Sequence, residues 1–179
     1  MKILLIGPQG SGKSTQAELL AQFLGLPKIS TGDIFREIAE ENSADGQRIR
    51  ETMNQGKLID DSETAKMVEG RLQKDDVVDG FILDGYPRNL AQKELFDPGF
   101  DQAIYLKVPD GEVTKRMMAR GRADDSPEAI KKRLDLYNEQ TEPLLNDYRN
   151  QGILIEIDGM GSIEEIQQRV RSALQKLAG

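Results

Sequence analysis

The sequence predicts an α/β domain, a five-stranded parallel sheet with helices on both faces, carrying a helical insertion and a short charged junction. Three observations predict it. Five short apolar runs are separated by segments of helical periodicity, an alternation that calls for parallel strands joined by crossover helices. Residues 30–59 and 119–128 stand outside that alternation. The polar, glycine-rich stretches GPQGSGKST, STGD, DGYPR and VPD all fall at strand C-termini, the end of such sheets that faces ligands.

The first run, KILLI at 2–6, reads as a buried strand. GPQGSGKST follows at 7–15 and fits the phosphate-loop pattern, a glycine, four free positions, then Gly-Lys and a hydroxyl residue, with Gly7, Gly12, Lys13 and Ser14 in the fixed places. Ala17, Leu20, Ala21 and Leu24 recur at helical spacing, so this loop joins a strand to a helix. Glycines there let backbone amides approach an anion at the helix N-terminus; Lys13 adds a cation and Ser14 a hydroxyl for Mg²⁺. PKIS at 27–30 is the second strand candidate. Residues 30–59 then read as helix, turn and helix without a strand, with glycines 32, 46 and 56 available as hinges or as plain turn residues. FILD at 81–84 and AIYLKV at 103–108 are the next strands. Asp84, closing FILD, is suited to hold the waters of Mg²⁺, or to cap a helix or pair with Arg88. In ARGRADDSPE, 119–128, Ser126 is placed to cap the following helix and Pro127 suits its first position. ILIEID at 153–158 is the fifth strand, and Ile163, Ile166, Val170 and Leu174 mark a final amphipathic helix.

Composition narrows the chemistry. The 179 residues suffice for one domain burying roughly 70% of its unfolded surface. With neither cysteine nor histidine, disulfides, thiol nucleophiles, histidine bases and the usual zinc sites are excluded, leaving lysine, arginine and carboxylates. The net charge of −7 sets the surface against nucleic acid. No apolar run approaches the ~20 residues of a membrane span, and Lys2 leads into a strand rather than a signal peptide, so the expectation is a cytoplasmic protein, simplest as a monomer.

The arginines sit where that acidic surface must be overcome. Arg36 follows STGD, Arg88 follows the Asp84 strand end, Arg116 and Arg120 form an i, i+4 pair, and Arg122 and Arg133 come next. Each alone reads as a surface ion-pair partner; together, beside a phosphate loop, they argue for a second phosphate group and a transfer between the two.

The ordered set GxxxxGK, STGD-x-x-R, GKLI, DGYPR-x-x-x-Q, RGRxDD, RLxxY and TxPL resembles the adenylate kinases over nearly the whole chain. The resemblance implies transfer from MgATP to AMP, giving two ADP, on a P-loop core of residues 1–29, 60–118 and 126–179, with an AMP-binding segment at 30–59 and a lid at 119–125 of the short type. It implies that Gly10, Ser11, Gly12, Lys13, Ser14 and Thr15 hold the ATP phosphates, that Arg120 stands on the ATP side of the lid, and that Gly161 meets the ATP base or ribose. Thr31, Arg36, Lys57, Leu58, Ile59, Gly85, Tyr86, Pro87, Arg88 and Gln92 match the AMP site, and Arg122 and Arg133 the pair bridging both nucleotides. The catalytic cations are then Lys13, Arg36, Arg88, Arg120, Arg122 and Arg133, with Ser14 and Asp84 toward the metal. Asn89 resembles the choice of uridylate–cytidylate kinases, keeping UMP and CMP as alternative acceptors, whereas Thr31 and Gln92 are adenine-type. Two other classes remain open: a nucleotide-binding switch, which lacks its guanine-reading NKxD, and a small-metabolite kinase, which gives no reason for STGD-x-x-R and DGYPR-x-x-x-Q together.

Overall fold

The computed structural model describes residues 1–54, 59–120 and 126–178. Five strands, β1 (Lys2–Ile6), β2 (Lys28–Ser30), β3 (Phe81–Asp84), β4 (Gln102–Lys107) and β5 (Leu154–Asp158), form one sheet in the order β2-β3-β1-β4-β5, every neighbouring pair parallel. The helices are α1 (Lys13–Leu24), α2 (Thr31–Glu40), α3 (Ala44–Asn54), α4 (Asp61–Arg71), α5 (Leu90–Leu95), α6 (Asp110–Arg120), α7 (Pro127–Asn150) and α8 (Ile163–Ala178), with a 3-10 turn at Asp75–Val77. This is the predicted α/β architecture. None of the described helices is long and apolar enough to cross a membrane.

Strand alternation builds two cores. Ile3 and Leu5 of β1 pack with Ala17, Leu20 and Ala21 of α1 and Ile166, Val170 and Leu174 of α8. Leu4 and Ile6 face the other way, toward Ile34 of α2, Ala65 and Val68 of α4, and Leu144, Leu145 and Tyr148 of α7. Each fully buried Leu or Ile contributes about 1.5–3 kcal/mol, so the apolar stripe of α1 fixes the orientation of the loop preceding it. A third cluster, Val108, Val113, Met117, Ile130 and Leu134, ties α6 to the first turns of α7. It anchors both helices that flank residues 121–125.

Strand limits differ from the apolar reading by one residue, for backbone reasons. Pro27 accepts a hydrogen bond from Ile82 N at 2.9 Å but has no N–H to give, and β2 begins at Lys28. Gln102 opens β4 because it is in register with Ile3, a pairing that side-chain polarity conceals. The predicted helix, turn and helix of the insertion appears as α2 and α3. Gly46, offered above as a hinge or turn, lies within α3, where a Cβ would come within 2.3 Å of Glu41 O. Close packing against the end of α2 is therefore its role. Gly56 lies outside the described residues.

Candidate active site

β1 is central in the sheet: the chain moves to β2 and β3 on one side of it and to β4 and β5 on the other. Its C-terminal end is the topological switch point, where ligands of open α/β sheets bind. The loop 7–12 occupies that end. Gly10 and Gly12 both have φ of 87°, a region open to glycine, and a Cβ on Gly7 would come within 2.5 Å of Ser11 Oγ. Gly12 caps α1 without a side-chain hydrogen bond, whereas α2, α4, α5 and α7 are capped by Ser30, Asp60, Asn89 and Ser126. The first-turn amides of α1 therefore keep their donors for an anion. The loop is braced from behind by Arg116, which donates to Ser11 O at 3.4 Å and to Gly159 O at 3.1 Å, and by Met117 beneath Gly10.

Lys13 and Ser14 converge on Asp84 across α1 and β3. The Ser14 hydroxyl donates to Asp84 Oδ2, and Lys13 Nζ lies 3.9 Å from Asp84 Oδ1. Asp84 pairs with these two groups, so the cap and Arg88-pair readings of it are set aside. Its side chain is 5% exposed, and Oδ1 is a buried carboxylate oxygen without a hydrogen-bond donor. Buried acceptors of that kind call for a partner, and one supplied by the water shell of a hard cation fits both this oxygen and the Ser14 hydroxyl. Burial holds the Lys13 ammonium below its usual pKa; Asp84 opposes that, while the positive charges of Arg88 and Arg120 add to it. The positive charges of Arg88 and Arg120 thus bear on the Lys13 ammonium against the attraction of Asp84. A polyphosphate would relieve that electrostatic imbalance.

The expected acceptor side is built around DGYPR. Thr31, buried at the start of α2, donates to Gly85 O at 3.5 Å, and Gly85, with φ of 95°, leaves no room for a Cβ 2.7 Å from Thr31 Oγ1. Tyr86 is fully buried, its hydroxyl 2.6 Å from Gln92 O and 2.8 Å from Phe96 O, and burial pushes its pKa well up. Tyr86 therefore anchors this loop to α5, and only its main chain is offered to a ligand. A cis peptide joins it to Pro87. Arg88 is exposed, with Nε donating to Gly85 O at 2.9 Å. Gln92 is 6% exposed. Its side chain accepts from Arg88 N and donates to Asp61 Oδ1, each at 2.8 Å. Asn89 Oδ1 accepts from Gln92 N at 2.8 Å, making Asn89 the N-cap of α5. The residue that resembled a pyrimidine-kinase choice thus has a local structural reason. Arg36 pairs with Asp33; Ser30 is the cap of α2, and Asp33 is the partner of both Ser30 and Arg36.

Ile59 lies just before Asp60, the cap of α4; Lys57, Leu58 and Arg122 lie outside the described residues. Arg120 ends α6, and Arg133 is half-buried on α7 beside Leu134. Gly161, with φ of 108°, precedes the capping box in which Ser162 N and Glu165 Oε2 meet at 2.7 Å. Gln16 Nε2 ties that loop to α1 through Ile163 O at 3.0 Å. Asp61, Gln16 and the bracing role of Arg116 escape a sequence reading because their partners are distant along the chain.

Comparison with known proteins agrees with this geometry. The sequence model of the family described as Adenylate kinase matches residues 5–153. A protein of Thermobifida fusca named Adenylate kinase is 43% identical over 189 residues, covering 99% of this chain and 100% of its own. Proteins of the same name from Kocuria rhizophila and Xylella fastidiosa are each 40% identical, the first covering 98% of this chain and 99% of its own, the second 97% and 99%. The residues matched include the phosphate loop, the DGYPR turn and the α6 arginines, and the chain belongs to the adenylate kinase family.

Proposed function

We propose that this chain catalyses reversible transfer of the γ-phosphoryl group of MgATP to AMP, giving two ADP. The observation that carries the reading is the pairing of Lys13 and Ser14 with Asp84 at the phosphate loop, within the electrostatic reach of Arg88 and Arg120 and next to the DGYPR turn that Thr31 of α2 and Gln92 of α5 contact. An AMP phosphate oxygen attacks the γ phosphorus; the new P–O bond forms as the bond to the β–γ bridging oxygen breaks, releasing ADP. That oxygen is already largely ionised at neutral pH, so no general base is required, in keeping with a chain that has no histidine. The protein's task is alignment and neutralisation of charge.

In this reading Gly10–Thr15 amides and Lys13 hold the ATP β- and γ-phosphates, Arg36 and Arg88 hold the AMP phosphate, and Arg120, Arg122 and Arg133 bear on the group in transit. Gly161 meets the ATP base or ribose, and the main chain of Lys57 to Ile59, with Thr31 and Gln92, meets AMP. Ser14 and Asp84 would hold Mg²⁺, largely through its waters; when bound, the ion neutralises β- and γ-phosphate charge. Segments 30–59 and 119–125 close over the two nucleotides and exclude water. Solution scattering checks this: the radius of gyration should fall when a mimic of two adenosines joined by five phosphates is added, and equal values would reject closure. The enzyme works as a cytoplasmic monomer. Support for a monomer comes from the dispersal along the chain of the large exposed apolar side chains among the described residues, Met1, Phe23, Val78, Leu95, Met118, Leu136, Met160 and Ile163, of which only Met160 and Ile163 are near neighbours in sequence.

A coupled assay with ATP and a panel of AMP, UMP, CMP, GMP and shikimate tests the activity. AMP should be the preferred acceptor. Preference for UMP or CMP would restore the alternative that Asn89 raised, and preference for shikimate would reject the reading.

A further inference from the structure

We propose that Asp61 is a positioning residue that fixes which way the Gln92 carboxamide faces and so holds the acceptor site to a 6-aminopurine against a 6-oxopurine. The proposal rests on the reading above that Gln92 faces the acceptor base. A carboxamide has two N–H donors on one side and an oxygen with two lone pairs on the other. Its two orientations differ little in shape, so only its partners select between them. At Gln92 they select decisively. Asp61 Oδ1, an acceptor, lies 2.8 Å from Nε2, and Arg88 N, a donor, lies 2.8 Å from Oε1. Turning the amide over would set oxygen against carboxylate and N–H against N–H, both unfavourable. Burial strengthens the choice, because at 6% exposure water offers little substitute.

The rest of Gln92 is held equally well. Its own N–H is taken by Asn89 Oδ1, and its carbonyl oxygen lies 2.6 Å from the Tyr86 hydroxyl. What remains for a ligand is one N–H and one oxygen lone pair, in an order that Asp61 and Arg88 N dictate. Adenine presents an acceptor at N1 and a donor at N6, matching that pair in one sense only. Hypoxanthine and guanine present a donor at N1 and an acceptor at O6, the inverted pattern, which the turned amide would match. Without Asp61 the Arg88 N–H still favours the same order, but the turned amide then meets one unfavourable contact instead of two and the preference weakens. Asp61 itself is free for this role: Asp60, not Asp61, caps α4 by accepting from Glu63 N at 2.9 Å.

The test is kcat/KM for AMP and for IMP in the parent, D61L, D61N and Q92L, with KM for ATP recorded in each. D61L should lower the AMP-to-IMP ratio at least about tenfold, mainly through KM for the monophosphate, with KM for ATP unchanged. D61N, whose Oδ1 still accepts from Nε2, should keep the ratio within about threefold of the parent. A ratio unmoved in D61L while Q92L shifts it overturns the proposal and leaves the acceptor-site reading standing. A ratio unmoved in Q92L shows that Gln92 does not read the base, and both fall together. Equal loss in D61N and D61L would make Asp61 a matter of charge, not of amide orientation, and would also overturn it.

Discussion

Lys13 and Arg36, the cations proposed to open the two phosphate sites, stand in opposite conditions. Lys13 is 21% exposed at its side chain, lies 3.9 Å from a 5% exposed Asp84, and has its charge disfavoured by burial. Arg36 is 62% exposed and is held by Asp33, itself 51% exposed. The first is desolvated in advance at the start of α1, beside the C-terminal ends of the central strands. The second, on the insertion, is paired on the surface, where such a pair is worth roughly 0–1 kcal/mol and yields readily to a phosphate. In the proposed reading, the difference teaches that the donor loop is preorganised, while the acceptor segment would keep its cation solvated and exchangeable until AMP arrives.

The largest expected effect tests the preorganised side. Lys13→Ala should lower turnover at least about a hundredfold, the usual cost of ~2.7–4 kcal/mol for removing one aligned donor. Arg88→Ala and Arg122→Ala should do the same. Near-parental rates in any of the three would remove that residue from the mechanism. Next, Arg36→Ala should raise KM for AMP about tenfold and leave KM for ATP unchanged, as expected for a charge-assisted contact to one substrate only. An equal rise in both would show that the two sites are not separable. Gly10→Ala sharpens the comparison through the backbone. At φ of 87°, with its Cβ 2.9 Å from Met117 Cγ, it should cost about 1 kcal/mol of stability and weaken ATP binding but not AMP binding. Thermal denaturation with separate titrations of each nucleotide reads both. The smallest effect is that of Asp33→Asn, which frees Arg36 from a like-charged competitor of the phosphate. KM for AMP should fall about two- to threefold, and less at high salt, because exposed ion pairs are screened.

Much of this molecule was legible before the structure, and the reason is locality. KILLI, FILD and the Ala17–Leu24 stripe carry their period in consecutive residues, and a phosphate loop is a motif of fixed spacing between a strand and a helix. The convergence of Lys13, Ser14 and Asp84 followed from topology, since adjacent parallel strands bring their C-termini to one end. Contacts without local signature were not legible. Gln92 and Asp61 are 31 positions apart and Arg116 and Ser11 are 105 apart, and nothing in either segment names the other. Asn89 is the instructive case. Asn followed three positions later by Gln is a helix-start signal, and the structure gives Asn89 that plain capping role. Ser162 and Glu165 at the start of α8 form the same kind of unread signal.

The central claim is that one molecule of this chain holds a donor tail and an acceptor head end to end. Titration calorimetry with two adenosines joined by five phosphates tests it most directly. The account predicts one mimic per chain, bound at least about a hundredfold more tightly than ATP or AMP alone, because a single linker spans both sites. Binding no tighter than ATP, with AMP still able to bind beside the mimic, would contradict it.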